Sequence, residues 1–159
     1  MAETIDIIVD GDVEDFDPPQ RIAAAVQVAC MVAGKSITEP HLCIRFATDA
    51  EIQALNSQWR HKDRVTDVLS FPMQEVPFDW GESLGDIALA VPFIVQEAAR
   101  LERPQAAHCL HLIIHATLHL LGFDHIDDAK AMQMQQLEKE AMRRMGLHDP
   151  YPDLTETCP

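Results

Sequence analysis

His115-Ala116-Thr117-Leu118-His119-Leu120-Leu121-Gly122-Phe123-Asp124-His125 places three imidazoles at the first, fifth and eleventh positions of one run, with a glycine between the second and third. A helix advances about 100° per residue, so His115 and His119 share a face one turn apart and can reach a common ion. Gly122 marks the place where the helix stops, because a residue without Cβ adopts the left-handed conformation that reverses the chain and returns His125 toward the pair. Three neutral imidazoles without a fourth protein ligand match a catalytic zinc centre, with one position left for water or substrate, better than a closed structural one. The run predicts one zinc ion per chain, held by His115, His119 and His125.

Working outward, Leu110, Leu112, Ile113, Ile114, Leu118, Leu120 and Leu121 make most faces of the segment from Gln105 to Leu121 apolar, as expected of a buried central helix. Imidazoles without partners in such a helix are costly. His108 and His111 lie on the same stripe and are read as packing groups or as supports for the ligands, not as ligands. Asp124, next to His125, is read either as a carboxylate supporting the site or as the N-cap of the final helix.

The flanking segments supply a sheet and its helices. Thr4–Val9, Leu42–Phe46, Val65–Phe71 and Leu84–Ala90 are rich in β-branched and apolar residues and are predicted strands. Gly85 inside the last predicts a bulge or a close backbone approach. A helix runs from Pro18-Pro19 through Ile22, Ala25, Val26, Ala29 and Val32 to Gly34, and Thr48-Asp49-Ala50-Glu51 is a capping box opening a helix that ends near Arg60. Phe93–Arg103 is a third helix, Pro104 opens the histidine helix, and Asp127 or Asp128 caps a fifth through Met132, Leu137, Met142 and Met145 to Gly146. The order β-α-β-α-β-β-α-α-α defines an α+β fold, with a four-stranded mixed sheet packed on the buried histidine helix. Residues 1–146 form the single domain, and residues 147–159 are expected to be a loose tail.

Composition narrows the function. A chain of 159 residues with 47% hydrophobic content forms one globular domain, and no apolar run approaches the length of a membrane span. The acidic start Met1-Ala2-Glu3-Thr4 is unlike a secretion signal, so a cytoplasmic location is expected, with Cys30, Cys43, Cys109 and Cys158 as reduced thiols. A net charge of −14 argues against general affinity for phosphate backbones, and no DNA or membrane partner is expected. Arg60, His61, Lys62 and Arg64 nevertheless form a local basic cluster.

The histidine spacing equals that of metzincin proteases, including the glycine. Zincins, however, carry a glutamate general base directly after the first histidine, and here that position is Ala116. The run resembles instead the H-G-x-L-H-L-x-G-Y-D-H signature of the bacterial YbeY family of single-strand endoribonucleases. Leu55-Asn56 followed by Arg60, then Thr66-Asp67-Val68-Leu69-Ser70-Phe71-Pro72 and Gly85-Asp86-Ile87, stand in the family's order, so the resemblance covers the chain from about Phe46 to Gly146. Ala116 replaces the usual glycine and Phe123 the usual tyrosine.

The resemblance implies an RNA hydrolase that matures ribosomal RNA, notably the 3′ end of the small-subunit RNA, and takes part in ribosome quality control. Its partners are then single-stranded RNA and the small ribosomal subunit or factors bound to it. Residue matching assigns zinc to His115, His119 and His125 and the functional arginine to Arg60. A guanidinium suits that role, because it holds two phosphate oxygens at once and opposes charge that grows on the phosphate. Candidates for the general base are a hydroxide on the zinc, His111 or an acidic residue of the Gly85-Asp86 strand. Two alternatives stand beside this reading: a metalloprotease-like hydrolase, and a zinc-stabilised module that binds the ribosome without catalysis.

Overall fold

A computed structural model describes residues 5–9, 19–35, 40–62, 64–72 and 83–152. The elements follow in the order β1 (Ile5–Val9), α1 (Pro19–Val32), β2 (His41–Ala47), α2 (Asp49–Arg60), β3 (Val68–Pro72), β4 (Ser83–Ala90), α3 (Val91–Leu101), α4 (Gln105–Leu120) and α5 (Asp128–Arg144). This is the α+β domain with a four-stranded sheet that the sequence pattern predicts. The acidic stretch Asp10–Asp17, the loop containing Pro77 and Gly81, and Cys158 lie outside the described residues.

The strands are ordered β1-β2-β4-β3. β1, β2 and β4 run parallel, and β3 pairs antiparallel with β4. Leu42, Ile44, Phe46, Leu84, Ile87 and Leu89 join Ile22, Val26 and Ala29 of α1 and the apolar residues of α4 in one buried cluster. Full burial of each such aliphatic side chain contributes roughly 1.5–3 kcal/mol against leaving it in water. A smaller cluster of Ala47, Ile52, Leu69, Ala88 and Ala90 seats α2 over β3 and β4. The predicted bulge falls at Leu84, since His41 pairs with Ser83 and Leu42 with Gly85, whose φ is +140°.

α4 is the centre of the molecule, with twelve of its sixteen residues buried, so every histidine it carries inward needs a polar partner. Its end determines the site. Phe123 N donates to Leu118 O and Gly122 N to His119 O, both at 3.0 Å, which is the pair of bonds of a Schellman motif. Gly122 holds φ at +104°, a conformation strained for any residue with a Cβ, and the reversal carries the chain to His125.

Two boundaries and one buried face differ from the sequence reading. β3 begins at Val68 and not Val65, because polar side chains engage the backbone just before it: Asn56 Nδ2 donates to Arg64 O, and the amide of Val68 donates to Asp67 Oδ1. α3 begins at Val91, two residues early, since Pro92 is tolerated in a first helical turn, and it closes at Glu102 in the left-handed region. In α5, capped by Asp127, the inward stripe is Met134, Glu138, Ala141 and Met142, whereas Met132 is exposed.

The segment after Gly146, expected to be loose, packs back onto the domain as far as it is described. Leu147 lies against the main core, Asp149 accepts from Arg103 through its carbonyl oxygen, and the Tyr151 hydroxyl donates to Glu138 at 2.6 Å. An apolar residue and a phenol just past the helix offset the entropy of ordering a short segment.

Candidate metal centre

α4 and its C-terminal reversal bring His115, His119 and His125 together, with one nitrogen of each ring lying within 4.8 Å of the other two. The ring centroids are separated by 4.6 Å for His115 and His119, 5.0 Å for His119 and His125, and 5.8 Å for His115 and His125. His115 and His119 are half-buried, and His125 is exposed at the rim.

The outer nitrogens decide what the inner ones can do. His115 Nδ1 lies 3.1 Å from Glu138 Oε2, and a carboxylate only accepts, so Nδ1 carries the proton. His119 Nδ1 lies 3.0 Å from Phe123 O and is protonated for the same reason. Both Nε2 atoms are thereby left as lone-pair donors, and they face each other at 3.1 Å. Two imidazole lone pairs so close repel unless a cation or a proton stands between them. Burial, reinforced by His115 and His125, pushes the His119 pKa down to about 4, which disfavours the proton and leaves a neutral ligand. The donor set therefore fits a metal ion, and His–carboxylate and His–carbonyl pairs of this kind orient metal ligands.

Glu138 is the residue that sequence reasoning missed. It is 1% exposed, and its carboxylate accepts from His111 Nε2 at 2.6 Å and from Tyr151 as well as from His115. Burial alone would raise its pKa, but the hydrogen bonds from His111 and His115 outweigh that and bring it down to about 2. The signal was present: Glu138 stands four residues after Met134 and four before Met142, a charge in the middle of an apolar stripe.

His111 and His115 thus share the carboxylate of Glu138. His108 pairs with Glu97 Oε1 at 2.8 Å. Asp124 Oδ1 accepts from the amide of Ile126 at 3.2 Å and shapes the turn around His125, and the cap of α5 is Asp127, not Asp124. Arg60 is the last residue of α2, and its side chain lies outside the described residues.

The three histidines open into a pocket of about 580 Å³ lined also by Asn56, Lys62, Arg64, Asp67 and Ser70. Buried Asn56 ties the basic loop to this rim, accepting from Lys62 N through its carbonyl and donating to Arg64 O through its side chain. Neither His111 nor Asp86 lines the pocket. Asp86 is exposed on β4, in register with Cys43 of β2. Ala116 does line it, so the position where a zincin carries its glutamate presents a methyl group.

Three histidines at the turn of a buried helix, placed so that they could hold a metal ion, open into a pocket rimmed by a basic loop, and no glutamate follows the first of them. The family model described as Endoribonuclease YbeY matches residues 12–146, and the chain belongs to that family. An endoribonuclease YbeY from Chromohalobacter salexigens is 44% identical over 134 residues, covering 84% of this chain and 87% of that protein. Another, from Sinorhizobium medicae, is 38% identical over 162 residues, covering 94% of this chain and 96% of its own. The solution structure of TM1509 from Thermotoga maritima shares the fold, with a TM-score of 0.55 at 23% identity over 92% of this chain and 97% of that one. Among the described residues no helix is long and apolar enough to cross a membrane.

Proposed function

We propose that this chain is a zinc-dependent endoribonuclease that cleaves single-stranded RNA in the maturation of ribosomal RNA, acting in the cytoplasm on the 3′ end of the small-subunit RNA and in ribosome quality control. The observation that carries the reading is the convergence of His115, His119 and His125 in a pocket whose rim holds Lys62 and Arg64. Those cations supply local attraction for a phosphodiester on a chain whose net charge is −14. The relatives' name supplies the substrate class.

His115, His119 and His125 would hold the zinc, which would supply polarisation of a phosphate oxygen or a lowered pKa for a bound water. The chain's own residues do the rest. Glu138 and Phe123 O hold the two imidazoles of α4 in the ligating tautomer, and Gly122 aims His125. Asn56 fixes the loop carrying Lys62 and Arg64, so a phosphate meets charges already in place and little ordering entropy is spent on binding. Arg60, at the exit of α2 immediately before this loop, is the residue proposed to clamp the scissile phosphate.

The test pairs metal analysis with cleavage of a labelled single-stranded RNA. About one zinc per chain, cleavage lost on chelation and restored by zinc, and resistance of duplex RNA are expected. Zinc-dependent hydrolysis of casein that disappears in His115→Ala, without RNA cleavage, would overturn the reading in favour of a protease. Zinc binding with neither activity would favour the non-catalytic module.

A further inference from the structure

We propose that Trp59 is a stacking platform for an unpaired base of the RNA, beside the phosphate that enters the metal pocket. The inference rests on the endoribonuclease reading and adds to it a contact that only a single strand can offer.

The second half of α2 carries the observation. Ile52, Leu55, Asn56 and Trp59 stand at i, i+3, i+4 and i+7, the stripe that a helix turns toward its core. Ile52 and Asn56 are buried and Leu55 packs against the smaller cluster, but Trp59 is 62% exposed. The core therefore ends before the stripe does, and the largest side chain of α2 is left in water. An indole in that place offers a broad, flat, apolar face to an occupant.

The surroundings of the ring favour a nucleotide as that occupant. Trp59 lies three residues after Asn56 and three before Lys62, and both of these line the metal pocket. The chain reverses at His61, in the left-handed region, and the amides of His61 and Lys62 both donate to Asn56 O, which folds Lys62 back along the last turn of α2. The Asn56 side chain then donates to Arg64 O. One buried asparagine thus anchors the segment that carries the indole and both cations of the rim. The exposed neighbours of Trp59 in the chain are polar or charged: Ser57, Gln58, His61, Lys62 and Arg64. A protein partner asks for further apolar side chains around an exposed aromatic ring, whereas a base asks for one flat face with cations beside it for the phosphates. Stacking of this kind accepts any base, because every base has a π-face. In a duplex those faces are already covered by neighbouring pairs, so the contact selects for single strands.

The experiment measures kcat, KM, zinc content, melting temperature and sedimentation for wild type, Trp59→Phe and Trp59→Ala. The substrates are a labelled single-stranded RNA and versions of it with one abasic nucleotide at successive positions. Trp59→Ala is expected to raise KM on the order of tenfold with kcat, zinc and melting temperature unchanged, and Trp59→Phe to recover part of the loss through its smaller ring. At one position the abasic nucleotide should raise the wild-type KM by a similar factor and leave that of Trp59→Ala where it was, a coupling that a merely structural role does not produce. An unchanged KM in Trp59→Ala, or abasic penalties equal in the two proteins at every position, overturns this inference alone, since the wild type still cleaves RNA. A KM that rises only with loss of zinc or of thermal stability assigns Trp59 to the fold and overturns it. A wild type that sediments as a larger assembly than Trp59→Ala assigns the ring to a second copy of the chain and overturns it too. A zinc-loaded wild type that cleaves no RNA overturns the endoribonuclease reading together with it.

Discussion

Glu138 of α5 lies 3.1 Å from Nδ1 of His115 on α4, and this one hydrogen bond sets which nitrogen of His115 faces the pocket. The same carboxylate gathers His111 and Tyr151, so a single buried acid couples three polar groups from three segments of chain. A carboxylate behind a ligating histidine raises its basicity and locks its ring.

Glu138→Gln is accordingly expected to weaken zinc affinity by roughly 10–100-fold, as measured by chelator competition, because an amide can present its NH2 to His115 and favour the wrong tautomer. The fold should persist, since His111 and Tyr151 keep a polar neighbour. Unchanged affinity in this variant would show that the His115–Glu138 contact does not tune the site.

Gly122 makes a separate prediction about geometry. No heavy atom lies within 4 Å of the position a Cβ would occupy there, so Gly122→Ala meets no steric obstacle, only the strain of φ at +104°. That strain costs about 1–2 kcal/mol. It is relieved either by a lower melting temperature with the turn kept or by a turn that withdraws His125. Either the melting temperature or the zinc affinity should therefore fall, while α4 and the sheet keep their circular dichroism. A variant that matches wild type in both melting temperature and zinc affinity would contradict the role given to the turn.

How much of this was legible before the structure follows from the range of each signal. The strand and helix order and the convergence of His115, His119 and His125 depend on periodicity, a capping box and one helix turn, all local in sequence. The start of β3 differs because the side chains of Asn56 and Asp67 engage the backbone at Arg64 and Val68, bonds that propensity does not register. Glu138 was missed because 23 residues separate it from His115, and its meaning appears only when α5 lies across α4. Tyr151 was set aside with the tail for the same reason, since a short segment without periodicity shows its docking only through the partner it finds.

Acid should dismantle the metal-free protein in two stages. The His119 pKa is pushed down to about 4 from an ordinary 6.5, and that of Glu138 to about 2 from an ordinary 4.5. In both cases the unfolded chain binds protons that the folded chain refuses. Stability is then fullest above about pH 6.5, falls between 6.5 and 4 through His119, and falls again between 4.5 and 2 through Glu138. Urea midpoints of chelated protein across this range check the signs. His119→Ala should flatten the upper fall and Glu138→Gln the lower one; a midpoint that rises on acidification from pH 6.5 would contradict the first shift, and one that rises below pH 4.5 the second.

Arg60 separates chemistry from metal binding and from folding. It ends α2, and the following loop of Lys62 and Arg64 forms the rim of the pocket, with His61 in the left-handed region making the turn between them. The proposed role is a contact with phosphate that strengthens as the phosphate gains charge. Losing it in Arg60→Ala should cost about 2–4 kcal/mol of barrier, on the order of a hundredfold or more in rate on single-stranded RNA. Zinc content and melting temperature should barely move, because a role confined to phosphate leaves the three histidines and the core as they are. Arg60→Lys should recover only part of the rate, since an ammonium restores charge without the planar fork that holds two oxygens. Wild-type cleavage by Arg60→Ala, or a loss of cleavage that tracks loss of zinc, would transfer the phosphate-binding role to Lys62 and Arg64.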